Sequence, residues 1–479
     1  MIGPDQRPVE DDSFPIPLPS HGAVPMSLLS RYAVVGSILL AVLATQSAPG
    51  DDWPQWRGPS RDGVWRESGI VDKLPAEPAY RWRVPIGGGF AGPAVAGGRV
   101  FVADRIVGKS QAEPVNQWNV ADPVEGGERV LCLEQQTGRI LWQHQYPCRY
   151  QISYPSGPRA TPTVSDGRVY TVGAMGDLRS LDAASGKLLW SKNYVRDFGT
   201  TINPWGMASA PLVDGDRVIV LAGGADGACV VALDKTSGRE VWRSLDAEDP
   251  GYSSPILIES GGARQLIIWN SLGVYSLDPA TGKVYWSHPY ETKMAHSIAT
   301  PAYDAERRLL FVSSFFQGPR MLQLAEDRPD AALLWQGYSE SELPQNTDKI
   351  HCLMSTPAFF GDHLYGVDSY GMLRCLELAE GNRVWETLAA TGEARWSNAF
   401  LIRHEDRFLL FNEHSELILA RLTPGGYEEI SRLKILDPTL EMRRRLVVWS
   451  HPAFADRCLF ARNDREIVCV DLASPPRER

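Results

Sequence analysis

The sequence predicts an all-β fold: an eight-bladed β-propeller of four-stranded antiparallel blades, its ring closed by an N-terminal strand. Three patterns predict it. A hairpin phrase ending in tryptophan recurs along the chain, a small-small-Pro phrase opens each repeat, and one strand-like segment stands ahead of the first repeat without a partner. With 479 residues, 43 of them Gly and 35 Pro, the chain has the length and turn content that such an architecture needs.

The hairpin phrase is clearest at Leu181-Asp182-Ala183-Ala184-Ser185-Gly186-Lys187-Leu188-Leu189-Trp190. It recurs from Leu233-Asp234 through Gly238 to Trp242 and from Leu277-Asp278 through Gly282 to Trp286. Looser copies run from Leu133-Glu134 through Gly138 to Trp142 and from Leu376-Glu377 through Gly381 to Trp385. An acidic side chain accepts the local bonds that start the turn, and glycine takes the left-handed position that closes it. Alternating Val, Leu and Tyr on either side make the strands. A tryptophan at one fixed point per repeat suggests a side chain that docks each blade on its neighbour, and Trp82, Trp142, Trp190, Trp242, Trp286, Trp335 and Trp385 hold that position.

The opening phrase falls at Pro93, Pro162, Pro211, Pro255, Pro301, Pro357 and Pro452, with Asn398-Ala399-Phe400 as a copy lacking proline. The spacing averages about 51 residues, the size of a WD40 or kelch blade. Proline suits the start of a strand because its missing N–H lies outside the ladder. The last repeat ends near Leu472 without a hairpin or tryptophan, and Tyr80-Arg81-Trp82-Arg83-Val84 can supply its missing outer strand. Closing the ring this way removes two exposed edges. Repeats five and seven are degenerate: the fifth lacks Thr-Gly after Leu324, and the seventh has no tryptophan. A seven-bladed ring therefore remains the alternative.

Residues 80–474 are assigned to the propeller, 49–79 to an extended segment and 475–479 to a tail. Residues 26–48 read as a secretory signal peptide, with Arg31, an apolar run from Ala33 to Ala44 and a small-residue exit. The run is shorter than the roughly 20 residues that span a bilayer, so no stable span is expected after cleavage. Residues 1–25 read as an over-called or disordered extension. A secreted or periplasmic monomer is expected. The net charge of −10 argues against nucleic-acid binding, which needs a basic footprint. The seven cysteines include no adjacent pair and no CxxC, which leaves thiol-redox and zinc-ribbon readings without support and the disulfide pairing open.

A site in such a ring belongs at the channel mouth, on the connections that lead into the inner strands. Three residues before each proline or its equivalent stand Phe90, Arg159, Ala208, Tyr252, Ile298, Met354, Trp396 and Trp449, with Tyr154, Trp205, His296 and His351 close by. From these, Phe90, Arg159, Trp205, Tyr252, His296, His351, Trp396 and Trp449 are taken as candidate ligand contacts. Aromatic faces and a guanidinium suit a planar or anionic ligand, or a peptide. The competing reading is that these rings fill a narrow channel as core. Residues 103–128, with Gln117-Trp118-Asn119, and 336–350 break the repeat; Arg443-Arg444-Arg445 reads as a solvated loop.

The phrase Leu-Asp-x-x-Thr/Ser-Gly-Lys/Arg-x-x-Trp resembles the repeats of the quinoprotein alcohol dehydrogenases, which use pyrroloquinoline quinone (PQQ). It is also similar to those of the outer-membrane assembly lipoprotein that shares their propeller. Asp52-Trp53-Pro54-Gln55-Trp56-Arg57-Gly58-Pro59 looks like the start of secreted PQQ-like repeat proteins. For the dehydrogenases the resemblance implies a vicinal cysteine pair, a calcium set and a catalytic Asp, and the pair is missing here. No G-x-S-x-G, HExxH, P-loop or CxxCH motif is present. The sequence therefore points to a non-catalytic propeller that binds a small molecule or an envelope protein through one face. No catalytic residue, protein metal ligand or cofactor is assigned. Two alternatives stay open: a divergent PQQ- and calcium-dependent oxidoreductase, and a scaffold for outer-membrane protein assembly.

Overall fold

The computed structural model describes residues 51–108, 123–247 and 249–475. The expected extension at 1–25, the expected signal peptide at 26–48, Gln117-Trp118-Asn119 and nearly all of the tail lie outside the described residues. Eight four-stranded antiparallel sheets stand side by side, each with its strands ordered from the channel outward. The innermost strands are Ala94–Ala96, Thr163–Ser165, Leu212–Asp214, Ile256–Ser260, Ala302–Asp304, Ala358–Phe360, Ala399–His404 and Ala453–Ala455. Each follows an opening phrase, and we number the blades 1–8 by these strands. Among the described residues the one further sheet is a two-stranded hairpin, Leu440–Met442 with Arg445–Val447, between blades 7 and 8.

Blade 8 takes its outer strand from the other end of the chain. Tyr80–Pro85 pairs antiparallel with Glu466–Asp471, with Trp82 opposite Cys469 and Val84 opposite Ile467. Arg81 reaches Asp456 and Asp471, each at 3.0 Å, and seals the seam. All seven cysteines are buried thiols.

Successive blades are joined by one repeated contact. In blades 1, 2, 3, 5 and 8 the outer-strand tryptophan lies on the turn glycine of the next blade, and its indole N–H donates to a carbonyl of that turn. Trp142 donates to the Ala183 carbonyl (3.1 Å), Trp190 to Lys235 (3.1 Å), Trp242 to Pro279 (3.2 Å) and Trp335 to Leu378 (2.7 Å). Trp82 closes the ring by donating to the Gln135 carbonyl of blade 1 at 2.8 Å. The glycine is required twice over at these turns. Gly186 has φ +72°, and a Cβ there would stand 2.5 Å from Trp142 Cε3.

The degenerate repeats follow from the same contact. The blade 5 turn between Leu324 and Ala331 has no glycine, and Trp286 of blade 4 turns back to Gln265 Oε1 of its own blade at 2.8 Å. Trp286 stays buried in one apolar cluster with Phe311 and Leu324 of blade 5, but its N–H lacks the forward bond to a turn carbonyl. Trp385 of blade 6 does reach forward, to the Thr423 carbonyl of blade 7 at 2.8 Å. Blade 7 carries no tryptophan, and blade 8 has no turn to receive one because its last two strands come from opposite chain ends.

Residues 51–79 cross the end of the ring remote from the openings. Trp53 exchanges backbone bonds with Val95, and the Pro54 carbonyl accepts from Val164 N–H at 2.8 Å. Arg61 drops into the channel and donates to the carbonyls of Ala210 (3.4 Å) and Pro255 (3.0 Å), and also to that of Pro211. Among the described residues no helix is long and apolar enough to cross a membrane.

The tryptophan–glycine contact separates from ordinary glycine strain in a matched pair. Gly97 also has positive φ (+57°), but nothing lies within 4 Å of its would-be Cβ. Gly97→Ala should cost about 1–2 kcal/mol, the left-handed penalty alone, and Gly186→Ala roughly 3 kcal/mol or more once the indole must move. Thermal melts of both variants check this, and equal losses would refute the docking account.

Candidate functional site

The connections leading into the inner strands are sewn to one another at the open end of the channel. Phe90 and Ala91 N–H both donate to the Pro158 carbonyl, and Tyr252 and Ser253 N–H both donate to that of Ser297. This brings one residue per blade round a cavity of about 230 Å³. Phe90, Arg159, Trp205, Tyr252, His296, Trp396 and Trp449 all line it, as do Tyr154, Ala208, Ile298 and Met354.

His351 does not. It is 0% exposed, with Nδ1 3.3 Å from the Phe315 carbonyl and its ring against Gly318 of blade 5. Asp368 accepts its backbone N–H at 2.6 Å, which fixes the residue between blades 5 and 6.

The floor is a residue outside the repeats. Trp56, on the crossing segment, donates from its indole to Thr300 Oγ1 at 2.8 Å and lies 4.8 Å from the His451 ring. With Arg61 beside it the channel is stopped at that end, so the cavity is a pocket. The Asp-Trp-Pro-Gln-Trp phrase was visible in the sequence, but no period connects it to the ring.

The walls are rings set at angles. Trp205 packs against Tyr252 (6.0 Å, 74°) and His296 (5.3 Å), and Trp396 meets Trp449 edge to face (6.4 Å, 75°). Tyr154 and Trp396 hold positive φ of 52° and 70°, a conformation that bulky residues adopt only where their surroundings impose it.

Arg159 is the one cation among the lining side chains, which include no carboxylate and no amide. Its guanidinium donates to the carbonyls of Ser153 (2.8 Å) and Tyr154 (2.7 Å) and stands 5.1 Å over the Phe90 ring. Burial lowers its pKa to about 10, opposed by the more distant Tyr150 and Glu128, so it stays charged at neutral pH. Among the described residues no carboxylate pairs with it within 4 Å. A buried cation neutralised only by carbonyl dipoles attracts an anion.

The two lining imidazoles are neutral. Burial lowers His451 to about 3, with the Arg57 charge adding to the effect and the Pro452 carbonyl opposing it. Burial and Arg395 lower His296 to about 4.

Residues 126–387 and 273–474 match the family model described as outer membrane protein assembly factor BamB, well over half of the chain. A quinoprotein ethanol dehydrogenase of Pseudomonas aeruginosa is 30% identical over 152 residues, covering 28% of this chain and 23% of that protein. An outer membrane protein assembly factor BamB of Moranella endobia is 25% identical over 231 residues, covering 47% of this chain and 56% of that protein. The chain thus spans about a quarter and about half of these relatives' lengths. Among solved structures, BamB from Moraxella catarrhalis superposes with a TM-score of 0.49 and 16% identity, over 79% of this chain and 98% of that one.

The histidines set an acid limb. The unfolded chain takes up protons that the folded chain refuses between pH 6.5 and pH 3–4, so stability is complete above pH 6.5 and falls below it. At pH 4.5 each histidine should cost roughly 2–3 kcal/mol. Denaturant titrations at pH 7 and 4.5 should show a smaller pH loss for His451→Phe than for the parent, and an unchanged loss would refute the assignment.

Proposed function

The chain belongs to the propeller-repeat family described as outer membrane protein assembly factor BamB, and from that premise we propose that it is an exported, non-catalytic propeller that binds a planar, anionic small molecule in the mouth cavity. One observation carries the reading: Arg159 sits charged, without a carboxylate partner among the described residues, in a pocket walled by tryptophan and tyrosine. Stacking holds the body of such a ligand, and charge-assisted hydrogen bonds from the guanidinium hold its anionic group. The size suits one or two fused rings, since an apolar cavity of about 150 Å³ takes a benzene.

The resemblance to quinoproteins implies PQQ with calcium, and the residues present do not fit that pair. Calcium takes six to eight oxygen ligands, mostly carboxylate and carbonyl, whereas the lining offers no carboxylate and no side-chain amide. Among the described residues no group of three or more His, Cys, Asp or Glu could hold a metal ion. No oxidation step is derived.

A protein partner on the same face is the second reading. It is favoured by Met294 and Tyr338, 56% and 85% exposed on the connections between blades 4 and 5 and blades 5 and 6. Pull-down from an envelope extract with and without these side chains tests it, and equal recovery counts against it.

The ligand reading is tested by titrating naphthalene-2-carboxylate calorimetrically. Arg159→Gln should weaken binding roughly 10- to 100-fold, the loss of a charge-assisted bond. Because the guanidinium also holds the Ser153 and Tyr154 carbonyls, the variant should melt lower, and affinities are compared well below its own melting temperature. Binding that survives the substitution would sink the reading. So would stoichiometric uptake of PQQ with calcium accompanied by dye-linked alcohol oxidation.

A further inference from the structure

The hairpin between blades 7 and 8 belongs to no repeat, and its construction points to a task at the cavity. Its strands Leu440–Met442 and Arg445–Val447 are joined by Arg443 and Arg444, with φ of 48° and 67°. A two-residue turn with both residues left-handed ordinarily carries Asn-Gly or Asp-Gly. Two arginines hold that strained conformation here. Arg443 and Arg444 are exposed in the turn, as the solvated-loop reading of the run expects, whereas Arg445 is partly buried and paired.

Arg445 is a clasp. Its Nε donates to Glu413 at 2.9 Å, and another donor reaches the Arg395 carbonyl at 2.9 Å. Glu413, 1% exposed, also accepts the Trp449 indole N–H at 3.1 Å. One buried carboxylate thus ties the hairpin to Trp449, and Arg445 ties it to the loop bearing Trp396. The underside of the hairpin, Leu440, Met442 and Val447, packs on Tyr154.

Arg443 is what the clasp presents. Its guanidinium stands 5.2 Å over the Trp396 ring. Arg395 lies 5.0 Å over the same ring but is paired with Glu342 at 2.9 Å. Among the described residues no carboxylate lies within 4 Å of Arg443. Arg443 is exposed and does not line the cavity, but it stands over a ring that does. A chain of net charge −10 thus carries one cation in the cavity wall, Arg159, and a second just outside it against Trp396.

We propose that the 440–447 hairpin is a specificity arm, which holds Arg443 as a second cationic contact so that the cavity selects ligands with two separated negative groups. The inference rests on the ligand reading above and goes beyond it by fixing the number of anionic groups. Arg445 and Glu413 are positioning residues and Arg443 is the contact.

The test compares naphthalene-2-carboxylate with naphthalene-2,6-dicarboxylate by calorimetry at low salt. The parent protein should prefer the dicarboxylate about fivefold, the worth of one exposed ion pair, and salt should erode that preference. Arg443→Asn suits the turn backbone, so its melting temperature should not fall. It should abolish the preference while leaving monocarboxylate affinity within about twofold. Preference retained in Arg443→Asn, or equal loss for both probes, overturns the specificity arm and leaves the cavity reading standing. Failure of the parent to bind either probe overturns both.

Discussion

The contact on which the ring depends is the tryptophan of one blade lying on the turn glycine of the next. A four-stranded sheet has two faces to bury, and in a propeller only its neighbours can cover them. The indole supplies a large apolar face for that purpose and an N–H that needs a partner when buried. A turn closed by glycine provides both a flat surface and a free carbonyl. The requirement runs one way round the ring, so the turn of each blade decides what the preceding tryptophan can do. Blade 5 offers no glycine and the Trp286 indole N–H bonds within its own blade; blade 8 offers no turn and blade 7 has no tryptophan.

Where the regular sheets stop, a second device takes over. Connections at the channel leave carbonyl oxygens without a ladder partner, and buried guanidiniums collect them. Arg61 serves Ala210, Pro211 and Pro255 at the stopped end. Arg159 serves Ser153 and Tyr154 at the open end. Arg462 serves Ala103 and Gly87 between the last blade and the first, each at 2.6 Å. One guanidinium carries five donors in a fixed fork, so it can satisfy several loops at once. Each such arginine also brings a buried charge. Arg462 sits deep in the packing and Arg61 borders only grooves beside the crossing segment, whereas Arg159 borders the aromatic-walled cavity, and that difference separates a structural cation from a candidate ligand contact.

How much of this was legible in the sequence follows from what repeats. Trp142, Trp190 and Trp242 recur with their glycines, so blade count, strand order and the closing role of Trp82 could all be read from spacing. The cavity lining was partly legible for the same reason. A fixed offset from each opening proline puts Phe90, Arg159, Tyr252, Trp396 and Trp449 at equivalent points on one rim. Proximity in sequence was the weaker guide. His351 neighbours a rim residue, but its backbone bond to Asp368 turns it between blades. Trp56 was missed because it arrives from a segment with no period, whose place is set by long-range pairing with Val95, Val164 and Arg403. The solvated reading of the Arg443–Arg445 run holds for its two exposed members and fails for Arg445, because composition alone cannot distinguish a solvated cation from one held against Glu413.

The two devices together explain why the candidate site lies at one end of the ring. A propeller channel is open at both ends unless something fills it. Here the crossing segment fills one end with Trp56 and Arg61, both bonded to residues just ahead of inner strands, which leaves the aromatic rim at the other end facing a closed floor. A closed floor keeps solvent off one side of whatever enters, and charge interactions strengthen as water is excluded. Arg159 therefore acts from a wall where its field is only partly screened, while Arg443 acts from an exposed turn where salt can reach it. The same ionic group would be held more firmly by the first than by the second. For the proposed ligand, that gradient would give the cavity a direction: the group bound at Arg159 would fix the ligand's position, and the group reaching Arg443 would distinguish one ligand from another.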